Sequence, residues 1–258
     1  MDILLTNDDG IDSPGLRALY EALSDVGDVL VVAPADDKSA IGRALSYEVD
    51  VSEHEIGYAV EGTPADCVIA GLEAIGPYPD LIVAGCNRGG NLGAYVLGRS
   101  GTVSAAVEGA FFDVPSMAVS LCIPGAADFE DTHPSVDEYA EAGRAAAYLA
   151  RNTLQAGVFD HADYLNVNAP TADKVPAPMT VTRPSHTYDM TATRETGGSI
   201  TLTDRIWERM RTGDLNEPAG TDRHAVMNDR ISVSPLTAPH TTEHHSELDE
   251  LAGAYPAT

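Results

Sequence analysis

The chain has 258 residues, 43% of them hydrophobic, and forty Asp and Glu against fifteen Lys and Arg give it a formal net charge of -25. A chain of this size buries roughly three quarters of its unfolded surface, so it needs no disulfide or metal staple, and its composition excludes wholesale disorder. So negative a surface repels a phosphate backbone, which excludes a nucleic-acid polymer as a general partner.

Lysine occurs only at Lys38 and Lys174. Abundant carboxylates with almost no lysine predict a salt-adapted surface, because at molar salt the screening length falls to ~3 Å and self-repulsion fades. The start of the chain, MDILLTNDDG, has neither a basic region nor a long apolar stretch, so no secretory signal is expected. No segment approaches the ~20 apolar residues of a membrane span, so no membrane partner is expected. Cys67, Cys86 and Cys122 are odd in number and lack metal-type spacing, which points to a reducing, cytoplasmic location.

In chain order, Ile3 to Leu5 reads as a strand and Pro14 to Ser24 as a helix with Leu16, Leu19, Tyr20 and Leu23 on one face. Val29 to Ala33 is a β-branched run closed by Pro34, as a buried parallel strand requires. Shorter strands are expected near Tyr47 to Ser52 and at Tyr58 to Glu61, then a helix from Asp66 to Ile75 and a buried strand from Leu81 to Ala84. Thr102 to Phe111 predicts a small-residue helix, Ser116 to Leu121 a strand, Ser135 to Leu154 a long Ala-rich helix, and Tyr164 to Val167 another strand. This alternation implies a three-layer α/β/α sandwich with a mostly parallel sheet. After Pro176 and Pro178 the pattern changes. Met179 to Thr182 and Ser199 to Leu202 are expected to pair as an arm, Ile231 to Val233 is a late strand, and Glu247 to Leu251 a short helix in a His-rich tail. The expected division is a core over residues 1–180, with arm, late strand and tail over 181–258 and no second independent domain.

In an open parallel sheet, ligands bind beyond the carboxyl ends of the strands, and four segments arrive there. Asn7-Asp8-Asp9-Gly10 follows the first strand; its two carboxylates suit a hard divalent cation, or the segment is an Asx-type turn capping the next helix. Asp36-Asp37-Lys38-Ser39-Ala40 offers a hydroxyl, or is a polar turn. Gly-rich Ala84 to Gly93, with Asn87 and Asn91, brings backbone amides close to an anion, yet matches neither a Walker loop nor a dinucleotide fingerprint. Arg99-Ser100-Gly101-Thr102 opens a helix, as an anion site or as a plain N-cap. Together they imply a metal-dependent phosphate-ester site, with Asn91, Ser100, Gly101 and Thr102 toward the phosphate.

The segments ILLTNDDG, APADDKS, GTPADCV (62–68), AGCNRGGNLG (84–93), SGTVSAAVEGA (100–110), LNVNAP (165–170) and ISVSPL (231–236) resemble the SurE family of survival-protein nucleotidases. The resemblance runs in order over most of residues 1–236 and is weak in the arm and tail. It implies a Rossmann-like core and a phosphatase acting on nucleoside monophosphates, with one divalent ion, Mg²⁺ or Mn²⁺, per subunit. It places the metal ligands at Asp8, Asp9, Ser39 and Asn87, with Asp8 or Asp9 acting on the attacking water. It also implies a homodimer or homotetramer that exchanges the arm and C-terminal segment. Two positions depart from the family pattern: Gly42 stands where a second Ser is usual, and Cys86 where Ile is usual. A nucleotide-binding regulatory or assembly protein without chemistry is the alternative, and the complete ligand set argues against it. His54, His133, His161, His186, His224, His240, His244 and His245 read as surface, arm or tail residues, and Trp207 with the run Ile206 to Met210 as a subunit contact rather than a base platform.

Overall fold

The computed structural model describes residues 1–123, 134–171 and 176–240, together with Ser246, Asp249, Ala252 and Ala254. The strands are β1 (Asp2–Thr6), β2 (Asp28–Pro34), β3 (Val51–His54), β4 (Gly57–Val60), β5 (Leu81–Arg88), β6 (Ser116–Cys122), β7 (Tyr164–Pro170), β8 (Met179–Val181), β9 (Met190–Arg194), β10 (Ile200–Asp204) and β11 (Ile231–Leu236). The helices are α1 (Pro14–Ser24), α2 (Pro64–Ala70), α3 (Ala94–Leu97), α4 (Gly101–Phe111), α5 (Ala140–Asn152), α6 (Ile206–Thr212) and α7 (Asp222–Met227).

Nine strands form one sheet in the order β3-β4-β2-β1-β5-β6-β7-β11-β8, parallel from β4 through β7. The expected α/β sandwich is therefore present. Its central strands are apolar on both faces because helices cover both. On one side α1 and α5 pack over Ile3, Leu5, Leu16, Leu19, Val31, Val83 and Leu149. On the other, α2 and α4 cover Leu4, Val32, Val68, Ile82 and Ala105. β1 lies between β2 and β5. The chain thus leaves β1 to one side through β2 and β4, and to the other through β5, β6 and β7. The crevice where the winding reverses opens at the carboxyl ends of β1 and β5.

Local chemistry explains several boundaries. Ser13 caps α1 from its side chain with Pro14 in the first turn, and Thr63 with Asp66 forms a reciprocal capping box at α2. The expected helix 135–154 begins as a short 3-10 turn, Val136–Tyr139, before α5.

One expected pairing is corrected. Met179–Val181 does not pair with the strand near Ser199; it lies parallel to β11 at the sheet edge. Residues 200–204 pair instead with Met190–Arg194 as a separate antiparallel hairpin. The expected strand near Tyr47 is found later, at Val51–His54, and the short helix expected at 247–251 falls almost wholly outside the described residues. Among the described residues no helix is long and apolar enough to cross a membrane. Cys67, Cys86 and Cys122 are buried free thiols.

Candidate functional site

The turn after β1 is built around Asn7, whose side-chain amide donates to Gly10 O at 2.8 Å and to Ser13 Oγ at 2.7 Å. Gly10 takes φ +93°, beside the backbone of Asp36, where a side chain would be both strained and crowded. The fixed turn presents two successive carboxylates. Asp8 is 3% exposed, and its Oδ1 accepts from the Thr102 hydroxyl at 2.5 Å. Asp9 Oδ2 accepts from the Arg88 amide at 3.0 Å, which ties the first loop to the end of β5. The loop after β2 is drawn onto the same turn by the Lys38 amide, which donates to Asp8 O at 2.7 Å. Within that loop the Ser39 amide donates to Asp37 Oδ1 at 2.7 Å.

Asn87 belongs to β5, but the register against β6 shifts between Ala84 and Asn87. Such an irregularity re-aims side chains at a strand's end. Its amide nitrogen donates to Gly89 O at 2.6 Å, so the oxygen is the atom left to serve a cation. Asn91 is held from several directions. Its backbone amide donates to Asn168 Oδ1, its backbone oxygen accepts from Asn166 and Asn168, and its side chain donates to Ser120 Oγ. The LNVNAP segment on β7 thus fixes the Gly-rich loop.

Six of the eight expected site residues, Asp8, Asp9, Ser39, Asn87, Asn91 and Ser100, line one cavity of about 370 Å³ with Asp37, Arg88, Arg99 and Trp207. Gly101 and Thr102 stand behind it. Thr102 is fully buried and its hydroxyl is directed at Asp8, so it holds a carboxylate where a phosphate contact was expected. Gly101 has no Cβ because none fits: one would lie 2.7 Å from Asp8 Cβ. Ser100 caps α4, its Oγ accepting from the Val103 amide at 3.1 Å, so the cap and a place in the cavity wall coexist. Gly42, the position lacking the usual hydroxyl, is buried at φ +64° near Gly98 O. Cys86 is fully buried in the core under α1.

The electrostatics favour a cation. Burial, then the charge of Asp9, raises the Asp8 pKa well above the ordinary carboxylate range despite the Thr102 hydrogen bond. Asp9 is raised by burial and by Asp37, and relieved in part by Arg88. Two adjacent carboxylates that resist ionising together are relieved by a divalent ion. The donor atoms on offer are all oxygens, as Mg²⁺ or Mn²⁺ prefers. Among the described residues no group of three or more His, Cys, Asp or Glu has metal-binding geometry. A cation here would therefore rest on two carboxylates, a hydroxyl and an amide oxygen, which the cavity brings together. A larger cavity, about 520 Å³ between α5 and the β8–β11 edge, is apolar and distant from these groups.

Residue patterns alone did not single out Asp37, Arg88 and Arg99 as site residues. Their signal was position, since Asp37 lies in the loop after β2, Arg88 is the last residue of β5, and Arg99 directly precedes the cap of α4. Trp207, expected at a subunit contact, lies in the cavity wall.

Residues 3–191 match the family described as "Survival protein SurE". The chain is 60% identical to "5'-nucleotidase SurE" of Haloquadratum walsbyi, over 99% of this chain and 97% of that protein. It is 64% identical to the protein of the same description from Haloarcula marismortui, over 98% and 94%. Among solved structures, the SurE protein of Aquifex aeolicus superposes with a TM-score of 0.80 at 30% identity, covering 98% of this chain and 100% of that one. High identity to proteins of halophilic archaea accords with the carboxylate-rich, lysine-poor composition. On its sequence and its fold, the chain belongs to the SurE family.

Proposed function

We propose that the chain is a metal-dependent 5'-nucleotidase that hydrolyses nucleoside monophosphates to nucleoside and inorganic phosphate. One observation carries this reading: Asp8 and Asp9, both disfavoured as free anions, share a cavity with Ser39, Asn87 and the capped start of α4. The names of the relatives from Haloquadratum walsbyi and Haloarcula marismortui support it. Asp8, Asp9, Ser39 and Asn87 would hold one Mg²⁺ or Mn²⁺ ion per chain, and that ion supplies Lewis-acid polarisation of the phosphate when bound.

The rest falls to the chain's own residues. Thr102 fixes Asp8 Oδ1, which leaves that carboxylate one free direction. Asp9, the more exposed of the pair, orients the attacking water and takes its proton as the new O–P bond forms. The ester P–O bond breaks on the opposite side, and the departing oxygen takes a proton from solvent. Amides of the Gly-rich loop, Asn91, Ser100 and the first turn of α4 receive the non-bridging oxygens as their charge redistributes. Arg88 and Arg99 add positive charge to a wall that would otherwise repel a phosphate.

The same reading makes the protein a cytoplasmic homodimer or homotetramer that exchanges its arm and C-terminal segment; three buried free thiols suit a reducing compartment. Phosphate release from adenosine monophosphate at molar KCl tests the activity. Release with Mn²⁺, its loss on chelation and its return on adding Mn²⁺ are expected. Nucleotide binding without release would favour the regulatory alternative.

A further inference from the structure

We infer that Trp207 is the platform on which the substrate's nucleobase stacks. The inference rests on the nucleotidase reading and names how that site would tell a nucleotide from other phosphate esters. Among the described residues, the wall of the Asp8–Asp9 cavity contains one aromatic side chain, Trp207. The other apolar side chains there, Ala40 and Val96, offer no flat face.

The indole is also held in place. Trp207 stands on α6, whose neighbouring Ile206 is 2% exposed. Trp207 and Met210 pack against a buried cluster of Leu92, Cys122 and Val226. Leu92 directly follows Asn91, so the loop expected to hold the phosphate and the helix carrying the indole are fixed to each other. Half-buried in this way, the ring loses little freedom when a ligand arrives.

Trp207 also walls a second cavity, of about 510 Å³, with Cys122, Ile123, Met210 and Val226. It is the one residue common to the linings of the two cavities. The first brings together carboxylate, amide and hydroxyl groups; the second sets those apolar side chains beside Arg211, Thr212 and Asp229, so it offers an apolar surface with polar groups at hand. A nucleoside monophosphate has matching ends: an anionic phosphate and a flat, weakly polar base. With the phosphate against Asn91 and Ser100, the base would lie toward Trp207, which lines the same cavity. Stacking on an aromatic face tolerates every base, so this contact selects nucleotides as a class without choosing among them.

Trp207 is the sole tryptophan of the chain, so its emission reports the contact directly. At molar KCl with Mn²⁺, adenosine, which carries no phosphate to release, is expected to quench that emission saturably, whereas inorganic phosphate and glycerol phosphate are not. Trp207→Ala is expected to lower kcat/KM for adenosine monophosphate about tenfold or more, with glycerol phosphate changed less than about twofold and Trp207→Phe intermediate. Absence of quenching by adenosine, or equal losses toward both esters, would overturn the inference. The Phe variant and the wild-type titration decide the matter if the Ala variant does not fold. Should the wild type release phosphate from neither ester, the nucleotidase reading fails by itself, and adenosine quenching still reports on Trp207.

Discussion

Gly101 and Thr102 act on the same carboxylate from adjacent positions at the start of α4. A methyl group at Gly101 would press on Asp8 Cβ, and loss of the Thr102 hydroxyl would free Asp8 Oδ1. Residues that orient a metal ligand cost about 10–100-fold in metal affinity or activity when removed. Thr102→Val is therefore expected to weaken Mn²⁺ binding by a factor in that range and, because a buried Asp8 oxygen loses its donor, to lower the melting temperature by a few degrees, measured by titration calorimetry and thermal unfolding. The raised pKa values of Asp8 and Asp9 set a pH dependence. Between the ordinary carboxylate value and the raised ones, the metal-free folded chain binds more protons than the unfolded chain. Its stability from these groups therefore falls as pH rises through that window. A divalent ion replaces those protons. The gain in melting temperature on adding Mn²⁺ is expected to be larger at about pH 7.5 than at about pH 5; a gain that shrinks with rising pH would contradict the account.

Residue type and spacing marked Asn7-Asp8-Asp9-Gly10 and the Gly-rich segment holding Asn87 and Asn91 as candidates at strand ends, with an Asx-type turn an equal reading of the first. The assignment of Asp8, Asp9, Ser39 and Asn87 to a metal came from the resemblance to the SurE family. The direction of the Thr102 hydroxyl was not legible. It depends on how deeply α4 starts beneath the first loop, a distance that only the packed structure fixes. The place of Trp207 in the cavity wall was not legible for a similar reason: an aromatic on an amphipathic run reads equally as a contact or a wall until its neighbours are known.

The loop after β5 is held as an element by β7. Asn166 and Asn168 reach Asn91 from β7, two strands from β5 across β6, and both are fully buried. Asn168→Ala removes the acceptor for the Asn91 amide and leaves a buried donor unpaired, which costs about 1–3 kcal/mol. Lower stability together with reduced kcat is expected, and unchanged activity in a folded variant would separate this strand from the site. The central strands were legible because they are short apolar runs bounded by turn residues. The edge was not. β8 pairs with β11, some fifty residues later in the chain, across an intervening hairpin, and local composition carries no information about so distant a partner. β8 and β10 have similar composition, so only the register of the folded sheet separates them.

At the scale of the whole molecule, a formal charge of -25 governs behaviour in solution. Repulsion among carboxylates is long-ranged in dilute buffer and screened to ~3 Å at molar salt. Melting temperature and activity are both expected to climb across a KCl series; full stability in dilute buffer would remove the salt-adaptation argument. On the proposed reading, salt cannot substitute for a divalent ion held by Asp8 and Asp9, because both carboxylates are largely screened from bulk solvent. Mn²⁺ binding is therefore best followed by electron paramagnetic resonance at constant molar KCl, in the wild type and in Asp9→Asn. One bound Mn²⁺ per wild-type chain and its loss in the folded variant are expected; equal binding by both proteins would show that Asp9 holds no ion.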